Sequence, residues 1–189
     1  SFPSDVDGPI AFAEPTTAGH CTETVEIKLV DPDGTNVRTV TEGSHPQFGP
    51  GGRQIAFDNG GGITAATFVI NVDGTGLRFV GQGERPTWSP DGTRLAVSRS
   101  TGLWILPVAG GAATRLTTVD KSTPYEEGAT EAGGTYRVYN AFDWMPAWSP
   151  AGDVIAFSRD TITYSTAPNG FPLGPQAQLL DGPLVAHRS

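Results

Sequence analysis

PTWSPDGTRLAV (86–97) decides the fold of this chain, because two other segments align with it without a gap. They are PQFGPGGRQIAF (46–57) and PAWSPAGDVIAF (146–157). A partial copy, PIAFA (9–13), keeps only the end. The Ile/Leu-Ala-Phe/Val triplets begin at 10, 55, 95 and 155, so successive copies are 45, 40 and 60 residues apart. A period near 40 is that of one four-stranded propeller blade. The longest spacing implies an insertion of about 20 residues relative to that period.

Each position in the repeat has a physical reason. In S-P-D-G the proline fixes φ at the first central position of a turn, and the glycine takes the positive φ that closes it. The residues that follow alternate as a strand does, so Ile55 and Phe57 face one way and Ala56 the other. A small residue recurs at Ala11, Ala56, Ala96 and Ala156, where it lets a neighbouring sheet approach, while the large pair fills the opposite interface. Phe48, Trp88 and Trp148 stand at one fixed offset before the turn and read as core between blades.

A second glycine-containing turn follows each copy, as in IKLVDPDGTNVRTV (27–40) and FVINVDGTGLRFV (68–80). The unit is therefore strand A, turn, B, loop, C, turn, D. The expected strands are 9–14, 26–31 and 36–41 in blade 1, and 45–49, 54–58, 67–71 and 76–80 in blade 2. Blade 3 takes 85–88, 94–98, 102–107 and 113–117, and blade 4 takes 145–148, 153–158, 161–165 and 175–180. The whole of 1–189 reads as one all-β domain, a β-propeller of about four four-stranded antiparallel blades: blade 1 at 9–41, blade 2 at 45–80, blade 3 at 85–117, an insertion at 118–144, and blade 4 at 145–180. Blade 1 has no strand A before Ile10, and 182–188 (GPLVAHR) is offered as the strand that closes it. The alternative is an arc of a larger ring, open to self-association.

WSPDGTRLAV and WSPAGDVIAF, each followed by a strand and a D-G or N-G turn, resemble the WD-like repeat of the TolB-type β-propeller family, which also builds the propellers of prolyl-oligopeptidase-type proteins. The resemblance covers nearly the whole chain. It implies a propeller, in a family whose usual ring has six blades, and a non-catalytic scaffold that binds a protein or peptide in the periplasm or outside the cell. One fold hosts many activities, so the alternatives are a lectin-like propeller that binds carbohydrate and a propeller cut from a larger peptidase. The chain begins with Ser rather than Met, which reads as a processed or trimmed piece of something longer.

The meander sorts the loops onto two faces. The A–B and C–D turns are tight and share one end, whereas the B–C and D–A loops, 15–25, 59–66 and 117–144, share the other. Binding groups are usually carried by long loops. The longest carries Tyr125, Glu126, Tyr136, Tyr139 and Phe142, which are the expected binding residues. Tyrosine offers contact area and a polar handle at low entropy cost. In the alternative reading the loop folds back and its aromatics plug the channel mouth.

Other chemistries find little support. The net charge of −8 argues against duplex nucleic acid and anionic membrane, and no apolar run approaches the length of a membrane helix. No G-x-S-x-G is present to serve a hydrolase, and His20, His45 and His187 stand in no catalytic context, so no catalytic residue is assigned. Asp31-Pro-Asp33-Gly34 with Glu42 matches a calcium loop by count, but the proline and the following strand favour a hairpin, and no metal site is assigned. The one cysteine, Cys21, excludes an intrachain disulfide, and His20-Cys21 lacks the second pair that zinc needs. The glycine-rich stretches 49–52 and 60–62 do not sit between a strand and a helix, so no nucleotide cofactor is expected. Gly and Pro, 25 and 16 residues, make up about a fifth of the chain and leave little room for long helices.

Overall fold

The computed structural model describes residues 8–18, 22–60, 64–122, 124, 126–130, 133–166, 172–179 and 184–187. These residues hold sixteen strands in four antiparallel sheets and no α-helix. The first sheet is β1 (Ile10–Ala18), β2 (Thr22–Val30) and β3 (Arg38–Glu42). The second is β4 (Ser44–Phe48), β5 (Gln54–Asp58), β6 (Ala66–Asn71) and β7 (Arg78–Gln82). The third is β8 (Glu84–Trp88), β9 (Arg94–Arg99), β10 (Gly102–Pro107) and β11 (Thr114–Arg115). The fourth holds β12 (Glu126–Ala129), β13 (Thr135–Trp148), β14 (Val154–Thr166), β15 (Pro172–Leu179) and β16 (Leu184–His187).

The turns close as their residues require. Gly52, Gly92 and Gly152 donate to the carbonyls of Gly49, Ser89 and Ser149 at 2.9–3.0 Å, and each has φ between 67° and 77°. The alternation of Ile-Ala-Phe sets the joints between blades. Ile55 and Phe57 meet Ile27 and Leu29 of blade 1, while Ala56 on the opposite face meets Leu95 and Val97 of blade 3. One blade later Ala96 meets Ile155 and Phe157 of blade 4. Trp88 lies in the joint between blades 2 and 3, where its Nε1–H donates to the Gln47 carbonyl at 3.1 Å. A Cβ at Gly49 would stand 3.0 Å from the Trp88 ring, so this glycine makes room for the indole.

Two regions differ from the sequence reading. The two strands expected at 153–158 and 161–165 are one strand, β14 (Val154–Thr166), because SRDTITYS (158–165) lacks the glycine that breaks the chain at the equivalent place in blades 2 and 3. The second half of β14 pairs with β15 through Asp160↔Leu179 to Thr166↔Pro172. The third strand of blade 4 is supplied by β16, which pairs with the first half of β14 from Val154↔His187 to Phe157↔Leu184. The segment offered as a closure for blade 1 is thus bound within blade 4, and β1 pairs with β2 alone among the described strands.

The expected loop 117–144 is likewise largely sheet. Its second half enters β13, pairs with β14 from Thr135↔Thr166 to Trp144↔Ser158, and takes β12 on its other edge. Strands β12 to β15 therefore form a raised extension of blade 4 on the long-loop face. The hairpin of β1 and β2, paired from Ile10↔Val30 to Ala18↔Thr22, rises from blade 1 on the same face.

Candidate functional site

The strands that open blades 2, 3 and 4 pack one on the next, so they line the inner side of the arc. Each carries the same irregularity just before its Pro-x-aromatic segment. The register skips one residue between Ser44 and Gln47, between Glu84 and Thr87, and between Trp144 and Ala147. The residue inside each bulge is left-handed: His45 (φ 52°), Arg85 (φ 53°) and Met145 (φ 47°). Each precedes a proline, Pro46, Pro86 or Pro146. A bulky residue before proline avoids this region unless its surroundings hold it there, and such residues cluster at functional sites. Bulges also re-aim side chains. Here they set an imidazole, a guanidinium and a thioether at equivalent places on the inner end of the long-loop face.

The supports are buried carboxylates. Asp58, fully buried, accepts from His45 Nδ1 at 2.8 Å, from the Gly60 N–H at 2.9 Å and from the Arg85 N–H at 2.8 Å. The last bond crosses from blade 2 to blade 3. Asp143, 1% exposed, takes the Arg159 guanidinium on both oxygens at 2.6 and 2.8 Å. Thr117 Oγ1 also donates to Asp143, and itself accepts the Leu103 N–H at 2.9 Å, which ties blade 3 to blade 4. The Asp143 carboxylate holds the Arg159 pKa above its ordinary value. Burial pushes the Glu84 carboxyl up and the Arg99 guanidinium down.

Two hollows open on this face. A groove of about 550 Å³ lies between blades 1 and 2, lined by Thr24, Thr41, Glu42, Ser44, Phe57 and Phe68. A smaller cavity of about 80 Å³ lies between blades 3 and 4, lined by Gly83, Glu84, Ser98, Arg99, Phe142 and Trp144.

Of the residues expected from sequence, Phe142 reaches this site. It packs on Trp144 with ring centroids 5.2 Å apart and carries Lys121 Nζ 4.2 Å above its ring. Glu126 and Tyr136 are tied to each other across β12 and β13, with the phenol donating to the carboxylate at 2.9 Å. That bond raises the Tyr136 pKa, and the ring lies over Gly128, where a Cβ would stand 2.8 Å from it. Tyr139 sits in β13 opposite Ile162. Tyr125 lies outside the described residues. His45, Asp58, Glu84, Arg85, Met145 and Trp144 are not among the binding residues expected from sequence. The signal for them begins three residues upstream of the aligned repeat: GSHP (43–46), GERP (83–86) and DWMP (143–146) share a Gly/Asp-x-x-Pro frame.

The calcium alternative meets a different geometry. Asp31 accepts Asn36 Nδ2 at 2.7 Å, and Asp33 accepts the Thr35 N–H and hydroxyl at 2.9 and 2.7 Å. Both carboxylates are used in closing the hairpin. Among the described residues no group of three or more His, Cys, Asp or Glu could hold a metal ion.

No protein-family model and no curated protein sequence matches the chain. Among solved structures it is similar to TolB from Acinetobacter baumannii (TM-score 0.50, 13% identity), covering 94% of this chain and 53% of that one. It is also similar to the tricorn protease (TM-score 0.50, 13% identity), covering 90% of this chain and 17% of that one. The chain thus spans about half the length of the TolB chain and less of the protease. At this identity the likeness is one of architecture: the chain has a β-propeller fold of the TolB type.

Proposed function

We propose that this chain is a non-catalytic binding module that takes a protein or peptide partner on its long-loop face, in the periplasm or outside the cell. The observation that carries the reading is the triplet His45, Arg85 and Met145, three left-handed residues before proline at equivalent places. Strain held at three copies of one position is better explained by recognition than by folding, since a glycine there would relieve it. Two further features support the reading. Raised strands flank the face on blades 1 and 4. The groove between blades 1 and 2 lies within the size range of ligand sites.

The test compares the two faces. The wild-type protein and a His45→Ala/Arg85→Ala/Met145→Ala variant are used to capture partners from cell-envelope extract, beside Arg53→Ala on the tight-turn face. Capture lost in the triple variant and kept in Arg53→Ala is the expected result. The opposite pattern, with the triple variant folded by circular dichroism, would place binding on the tight turns and end this reading.

A further inference from the structure

Beside the small cavity between blades 3 and 4, polar side-chain atoms are left without a hydrogen-bond partner among the described residues. Ser98 is 3% exposed and lines the cavity, yet its buried hydroxyl has no partner. The buried Trp144 Nε1–H, on another lining residue, has none either. Arg85 lies with Cζ 5.3 Å from the Trp144 ring, and its buried Nε also lacks a partner. An unmet buried polar group costs about 1–3 kcal/mol, so two on lining residues, with a third on the neighbouring Arg85, call for an occupant.

The set is rich in donors. The indole N–H and the hydroxyl belong to lining residues, Arg99 lines the same cavity with its Nε committed to the Gln82 carbonyl at 2.9 Å, and the Arg85 guanidinium lies over the Trp144 ring. Lys121 stands over Phe142 at the rim. The nearby carboxylates of Asp58 and Asp143 are already spent on hydrogen bonds, while Glu84 lines the cavity as an opposing acid and Asp160 stands opposite Phe142 across β13 and β14. The volume, about 80 Å³, suits a group of a few heavy atoms or two to three waters.

We propose that this cavity is a carboxylate subsite: it receives a carboxylate of the partner, either its C-terminus or an acidic side chain, on Trp144 Nε1–H, Ser98 Oγ–H and Arg85. The proposal rests on the long-loop face being the binding face. Arginine suits a carboxylate through paired N–H donors, and an indole N–H next to it fixes direction.

The test follows the Trp144 indole N–H signal by NMR, assigned among the four tryptophans with Trp144→Phe. The probes are N-acetylglycine for a C-terminus, N-acetylglutamate α-amide for a side chain, N-acetylglycinamide as the neutral control, and sulfate and methylguanidinium as the other ions. Saturable shifts with one or both carboxylates are expected, and the tighter one names the source. Trp144→Phe, followed through the Arg85 Nε–H signal, and Ser98→Ala should each weaken binding about tenfold. Glu84→Gln removes a like charge and should tighten it severalfold. Shifts equal with sulfate or the neutral amide, shifts with methylguanidinium instead, or no shift in the folded wild type because only water occupies the cavity, would overturn the subsite. The capture experiment would still judge the face.

Discussion

His45 Nδ1 lies 2.8 Å from the Asp58 carboxylate, and that carboxylate is fully buried although the imidazole is partly open to solvent. Asp58 also receives backbone N–H groups of Gly60 and Arg85, so one side chain fixes His45, its own loop and the next blade. Asp58→Ala leaves these donors unmet and should cost about 3 kcal/mol. Chemical denaturation should show a lower midpoint at unchanged m. A midpoint equal to wild type would mean that water replaces the carboxylate in all three roles.

Gly83 reaches φ 131° at the entry to β8, and an added Cβ would stand 2.5 Å from Val97 Cγ2 and 2.8 Å from its Cβ. Val97 is fully buried in the joint between blades 2 and 3. Gly83→Ala is expected to destabilise by about 3 kcal/mol, from overpacking together with backbone strain. Gly34→Ala is the comparison, since nothing lies near a Cβ there and only its φ of 83° resists the change. Equal thermal midpoints for the two variants would remove crowding as the cause.

Arg159 and Asp143 form a two-pronged pair with the carboxylate buried. Removing Arg159 should cost about 3 kcal/mol, because the Asp143 carboxylate is left charged in a dry place, and removing Asp143 should cost less, because Arg159 keeps some contact with solvent. A double-mutant cycle of Asp143→Ala with Arg159→Ala should return a coupling above about 1 kcal/mol. Additive losses would show that each residue acts through other neighbours, such as Thr117.

Acid should loosen the tight-turn face. Asp33, Asp73 and Asp91 each accept the N–H and hydroxyl of a threonine two residues on, and Asp91 also accepts the Ser89 hydroxyl. These bonds hold all three carboxyls below the ordinary range, Asp91 furthest. Their stabilisation is therefore complete above the unfolded-state value near 4 and is lost as pH falls toward the native values. Stability measured across acidic pH should fall more gently in Asp33→Asn/Asp73→Asn/Asp91→Asn than in wild type. Parallel curves would assign the acid limb to other carboxylates.

Blades 2 and 3 are legible because their signals are local. Glycines at 52 and 92 set the turns, and Ile55-Ala56-Phe57 and Leu95-Ala96-Val97 show which face meets which neighbour. Blade 4 misleads because an absence of breakers in 158–165 is a weaker mark than a turn, and because β16 takes its place by a long-range pairing that no local pattern records. The tyrosines of 125–139 stand out by residue type, whereas the candidate site depends on backbone geometry. Nothing in the letters His45, Arg85 and Met145 says that they share a conformation; only the prolines after them and the Gly or Asp two residues before do so.

The pairing of β16 within blade 4 has a mechanical side. Among the described residues the joints run from blade 1 to 2, 2 to 3 and 3 to 4, with no comparable joint from 4 back to 1. A closed hoop must fail at two seams before it parts, but a row fails at one. The described blades therefore couple as nearest neighbours, with the inner blades braced on both sides and the outer ones on one. Amide exchange should be slowest in β5 and β9, and a partner that spanned the long-loop face from blade 1 to blade 4 would add a further seam.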